Sequence, residues 1–70
     1  MSLNKRREAH LAEIDALLRR ILGELTVGWR IADALWEAQS EIGKGLAEMT
    51  DGDLLRGLRR TVRRLEREQP

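Results

Sequence analysis

Between Leu11 and Met49 one stripe of residues never slips: Leu11, Ile14, Leu18, Ile21, Leu25, Gly28, Ala32, Leu35, Gln39, Ile42, Leu46 and Met49 follow one another in steps of three and four. Such spacing holds side chains on one side of an α-helix, as at the a and d positions of a coiled coil. The stripe is also broad, with Leu22, Trp29 and Trp36 along one edge and Leu17 and Ile31 along the other. Glu13, Arg19, Arg20, Arg30, Asp33, Glu37, Ser40, Glu41, Lys44 and Glu48 leave the opposite face polar. An apolar face this wide exceeds the need of a two-stranded coiled coil and implies at least two neighbouring helices, hence an all-α bundle.

Glycine competes with that pattern. Gly23, Gly28, Gly43 and Gly45 each cost about 1 kcal/mol relative to alanine inside a helix, and Thr26-Val27-Gly28 is the natural place for a break. A break at 26–28 gives a monomeric three-helix bundle. The unbroken phase of the stripe on both sides of Gly28 favours instead one long helix over about residues 4–48, bent if anywhere at Gly28 and ending as early as Gly43-Lys44-Gly45. Asn4 is its candidate cap, with Lys5, Arg6 and Arg7 opposing the helix dipole and fraying the first turn.

Thr50-Asp51-Gly52-Asp53 marks the clearest boundary. Thr50 with Asp53 three residues on resembles a capping box, and the acids suit a helix N-terminus. A second helix over about 51–68 has its own seam of Leu55, Leu58, Val62 and Leu65, with Leu54 beside it. The short link predicts a helical hairpin. A rod of about 65 Å, at 1.5 Å per residue, is too long for this helix to cover, so the hairpin is expected to form a dimeric bundle. The expected dimer interface is Leu18, Ile21, Leu22, Leu25, Gly28, Trp29, Ala32, Leu35 and Trp36, two copies crossing antiparallel at Gly28 with Trp29 filling space beside it.

Size points the same way, since 70 residues make one domain whose core is too small to be comfortably stable alone. The chain has no cysteine and a single histidine, His10, which excludes disulfides, thiolate metal sites and histidine-rich metal sites. No apolar run approaches the roughly 20 residues of a membrane span, and no apolar segment follows the basic N-terminal cluster as a secretory signal requires. Cytoplasmic residence is the expectation. Met1-Ser2-Leu3 has the form of a cloning remnant and takes no part in the fold argument. The net charge of +1 hides basic ends around an acidic middle.

Arg56, Arg59, Arg60, Arg63, Arg64 and Arg67 form the most prominent charged group. They are candidate phosphate ligands, since arginine bonds phosphate bidentately and releases counterions on doing so. The alternative is a solvated face that complements the helix C-terminus and pairs with the acidic middle of the chain. Any nucleic-acid contact would be to the backbone, because no aromatic or recognition-helix pattern reads bases. Trp29 and Trp36, seven residues apart, share a face suited to core, interface or a small pocket. Asp33, Glu37 and Glu41 fall where Arg30 and Lys44 can pair with them, and Glu24 and Asp15 are the acids nearest the seam. His10 lacks a second ligand or a catalytic partner, no Glu-x-x-His pair builds a di-metal site, and neither Ser2 nor Ser40 has a triad. No cofactor is expected.

The Ile14-Asp15 to Leu18 segment resembles the first helix of the all-helical chorismate mutases. Those enzymes hold a dicarboxylate with Arg and Lys pointing into the bundle, whereas the inner face from Leu18 to Leu35 is apolar or small apart from Glu24, so the resemblance is set aside. The expectation is a non-enzymatic, homo-oligomeric interaction or regulatory module with a protein partner in prospect. A nucleic-acid-binding accessory protein is the first alternative, and a small bundle enzyme or ligand carrier the second.

Overall fold

The stripe breaks at Thr26. In the computed structural model, which describes residues 2–69, helix α1 (Ser2–Arg20) widens into a π-helical turn (Ile21–Leu25) and stops. The Thr26 backbone N–H and Oγ1 both donate to the Ile21 carbonyl, at 3.0 and 2.7 Å, satisfying a helix-end acceptor that would otherwise be orphaned. Gly28 then turns the chain at φ +85°, in the left-handed region that costs residues with a Cβ about 1–2 kcal/mol. Helix α2 (Ile31–Ile42) opens with the Arg30 N–H donating to Asp33 Oδ2 at 2.7 Å. It closes at Gly43, φ +81°, whose N–H donates to the Gln39 carbonyl at 2.7 Å. A 3₁₀ turn (Leu46–Glu48) leads to α3 (Asp51–Glu68).

The all-helical bundle expected from the seam is present, built from three helices. The continuous helix over 4–48 is not: the break at 26–28 is where the chain turns, so the rod on which the antiparallel crossing at Gly28 depends is absent. The molecule measures 43 × 22 × 19 Å, well short of the rod. Asn4 lies inside α1, which already runs from Ser2; its side chain, like those of residues 2 and 3, is outside the described residues.

The second boundary forms as its residues dictate. The Asp53 N–H donates to Thr50 Oγ1 at 3.1 Å and the Thr50 N–H donates to Asp53 Oδ2 at 3.2 Å, a reciprocal cap on the first turn of α3.

Helix α3 is the hub. Both α1 and α2 pack along it and touch each other little. Its seam of Leu55, Leu58, Val62 and Leu65 is buried as expected, against Ile14 and Ile21 from the first helical segment and Ala34 and Ala38 from α2. Leu17, Leu18, Leu25, Trp29 and Leu54 close around that core.

The contact of α2 with α3 is made of small residues. Ala34 and Ala38 lie opposite Gly57 and Thr61, all four buried, and the Thr61 hydroxyl is satisfied by donating to the Gly57 carbonyl at 2.9 Å. A Cβ placed on Gly57 would sit 2.7 Å from the Ala38 carbonyl oxygen and 3.0 Å from Ile42 Cγ1. The glycine is there because the two backbones nearly touch.

Candidate interaction surfaces

The six arginines of α3 separate into two groups. Arg59 turns to α1, donating through Nε and Nη2 to the two carboxylate oxygens of Glu13 at 2.6 and 2.8 Å. This bidentate geometry holds the Glu13 carboxyl below the usual carboxylate range and raises Arg59 further above its own. Arg64 turns to α2, where it donates to Glu37 through Nη2 and lies 3.1 Å from Glu41 Oε1 through Nε. That second contact is off the hydrogen-bond line and leaves Nε without a formed bond; it is an electrostatic contact. Arg64 also faces Glu68 one turn on, so three carboxylates converge on one guanidinium.

The remaining four are Arg56, Arg60, Arg63 and Arg67, at steps of four, three and four, and all are exposed. They occupy the side of α3 opposite Leu54, Leu58 and Leu65. Arg56 makes a long contact of 3.6 Å with Asp53, and Arg60 donates to the Glu41 backbone carbonyl at 3.3 Å. Among the described residues, no carboxylate forms an ion pair with Arg60, Arg63 or Arg67.

The acids expected to pair with Arg30 and Lys44 have other tasks. Asp33 caps α2, and Glu37 and Glu41 hold Arg64. Lys44 reaches Asp53 at 3.3 Å. Asp53, accepting from the Thr50 backbone N–H and then from Lys44, titrates below its ordinary value. Asp15 and Glu24 pair along their own helical segment with Arg19 and Arg20. Arg20 also reaches Glu66 of α3 at 3.3 Å, and Arg7 reaches Asp51 at 3.2 Å.

The residues expected at a dimer interface are dispersed. Ile21 is wholly enclosed by its own chain and has no surface to give a second copy. Leu18, Leu25 and Trp29 pack half-buried on the core. Leu22 and Leu35 are half-buried, while Gly28, Ala32 and Trp36 are exposed. Trp29 and Trp36 do come together, bordering with Asp33 and Glu37 a shallow groove of about 320 Å³.

The ion pairs fix which way each helix faces. Glu13 and Arg20 occupy one flank of the first helical segment and reach α3 through Arg59 and Glu66. Leu11, Leu18 and Leu22 lie by helical phase on its other flank. On α2 the flank with Glu37 and Glu41 reaches Arg64, and Ile31, Leu35 and Ile42 lie on the other. Both apolar flanks therefore look to the side of the molecule opposite the four exposed arginines. Leu11 keeps 48% and Ile31 57% of their surface in water.

No group of three or more His, Asp or Glu suited to a metal ion occurs among the described residues, and no helix there is long and apolar enough to cross a membrane. Comparison with protein-family models, curated proteins and solved structures finds no match for this chain.

Proposed function

We propose that this protein is a non-enzymatic helical interaction module that acts in the cytoplasm as a homodimer, joined through the apolar flanks of α1 and α2. The observation that carries this reading is the set of large aliphatic side chains left in water on one side of the molecule: Leu11 and Ile31, with Leu18, Leu22, Leu35 and Ile42 half-buried around them. Isolated exposed leucines are ordinary, but aliphatic side chains gathered on one side of a small molecule suit an association surface. The surface area is consistent with this. A monomer of 8.1 kDa is expected to expose about 4,500 Å², and this chain exposes 5177 Å². The excess is close to the roughly 800 Å² that each partner buries in a stable interface.

A second copy is the favoured occupant because both flanks are aliphatic, so a two-fold axis can set like against like. The proposed interface moves from the predicted crossing at Gly28 to the aliphatic flanks of α1 and α2. Light scattering across a dilution series tests it. The expected mass is twice that of the chain at micromolar concentration, falling to one chain in the Leu11→Glu, Ile31→Glu double variant with its helical circular dichroism retained. A wild-type chain that stays monomeric at every concentration overturns the proposal.

A further inference from the structure

We infer that the exposed arginine row of α3 is a binding surface for the sugar-phosphate backbone of a nucleic-acid duplex. The row is what remains of the arginine-rich helix once its internal obligations are met. Arg59 and Arg64 are committed to Glu13 and to Glu37 and Glu41. The four carboxylates of α3 are committed as well: Asp51 to Arg7, Asp53 to Lys44 and Arg56, Glu66 to Arg20 and Glu68 to Arg64. Arg7, Lys44 and Arg20 thus neutralise Asp51, Asp53 and Glu66 from elsewhere in the fold, and Glu68 pairs within α3 with Arg64, outside the row. Arg60, Arg63 and Arg67 keep their charge for solvent, with Arg56 only weakly held.

The geometry selects the partner. Steps of four, three and four place Arg56, Arg60, Arg63 and Arg67 in one line about 16 Å long, at 1.5 Å of rise per residue. Beside its far end an open depression of about 530 Å³, bordered by Arg63, Glu66 and Arg67, leaves those guanidiniums unobstructed. Stable seating on a membrane takes an inserted apolar face as well as charge, and the apolar face of this helix is spent on the core, with Leu55, Leu58, Val62 and Leu65 all buried. A protein interface is built around a buried aromatic or aliphatic anchor, and the row contains none. A regular line of guanidiniums without an anchor matches a polymer of regularly spaced phosphates, bound without base reading. The row lies on the side of α3 away from the apolar flanks, so one chain or two present it equally.

Anisotropy of a labelled random-sequence DNA duplex of about 20 base pairs tests this inference, beginning at about 50 mM salt. Four phosphate contacts predict that affinity falls about 150-fold between 50 and 200 mM salt. In the Arg63→Gln, Arg67→Gln variant two contacts remain and the same change in salt lowers affinity only about 12-fold. Arg56→Gln with Arg60→Gln gives the same reduction from the other end of the row. Arg19→Gln, on the far side of α1, leaves affinity and salt slope unchanged. The inference is overturned by absence of binding at 50 mM salt, by a slope that neither double variant alters, or by equal affinity for polyglutamate of matched charge. An equally strong attachment to anionic phosphatidylserine vesicles also overturns it, in favour of a membrane.

Discussion

Replacing Gly57 by alanine tests the structure where it is least forgiving. In most helix interiors Gly→Ala stabilises by about 1 kcal/mol, because glycine loses more backbone freedom on folding. At Gly57 the added methyl meets the Ala38 carbonyl oxygen at 2.7 Å, the Ala38 methyl at 3.1 Å and Ile42 Cγ1 at 3.0 Å. Ordinary contact begins at about 3.4 Å, beyond all three distances and well beyond the first, and two of these atoms belong to a residue with no rotamer to move. Helices α2 and α3 must separate instead, loosening the packing of Ala34 and Thr61 along the same line. Overpacking of this kind costs about 1–3 kcal/mol, and the dispersion lost across a gap of 0.5–1 Å adds to it. Set against the propensity gain, the expected outcome is a loss of about 1–2 kcal/mol. In a domain of this size each kcal/mol moves the melting temperature by about 4–8 °C. Gly23→Ala is the control, since nothing lies within 4 Å of its added methyl, and it is expected to stabilise by up to about 1 kcal/mol. Urea unfolding followed by tryptophan fluorescence measures both at one protein concentration. Gly57→Ala as stable as wild type, or more so, would refute the close crossing of α2 and α3.

Further outcomes follow from the ion pairs. Arg64→Met leaves Glu37 and Glu41 facing each other half-buried and is expected to cost about 1–2 kcal/mol, between the values for exposed and buried pairs; Glu37→Gln in the same chain should restore part of the loss in a double-mutant cycle. Arg19→Met, losing only an exposed pair within α1, should stay within about 0.5 kcal/mol of wild type. Acid should destabilise the fold through Glu13 and Asp53, whose carboxyls titrate below their ordinary values of 4.5 and 3.8. A depressed folded value means that their contribution is complete above those ordinary values and vanishes as the pH falls through the depressed ones. Melting temperature measured from pH 7 downward is therefore expected to hold until about pH 5 and then fall, and Glu13→Gln with Asp53→Asn to fall less steeply.

The parts of the fold that were legible in the sequence are those carried by single strong signals. Thr50 and Asp53 specify a cap through their own side chains, and the four aliphatic residues of α3 specify its buried face. The long helix misled because its continuity from Leu25 to Leu35 rested on Gly28 and Ala32, two side chains with almost no apolar area to constrain the phase. Beyond the turn the buried positions are Ala34 and Ala38, each one residue before Leu35 and Gln39 of the stripe, so the stripe continues by count while the core face has shifted. Ala34 and Ala38 went unrecognised as core for a related reason. Alanine is small enough to look neutral in a hydrophobic count, and its place inside becomes evident only beside Gly57 and Thr61, which repeat its spacing of four on the facing helix. The pairing of Glu13 with Arg59 spans 46 residues, and nothing in local spacing predicts it.

Helix α3 keeps the two proposed surfaces apart, and this makes them independently falsifiable. Its buried side faces α1 and α2, whose exposed Leu11 and Ile31 lie beyond, while its arginine row faces the other way. The distance between a charge at Arg63 and the aliphatic flank is then set by the 19–22 Å thickness of the molecule, more than twice the roughly 8 Å over which exposed charges act at physiological salt. Removing the arginines should leave the association constant of the chain unchanged, and placing glutamate at Leu11 and Ile31 should leave the salt dependence of duplex binding unchanged per chain. If either substitution shifts the other property by as much as tenfold, about 1.4 kcal/mol, the two surfaces are contiguous and the orientation assigned to α1 and α2 from their ion pairs is wrong.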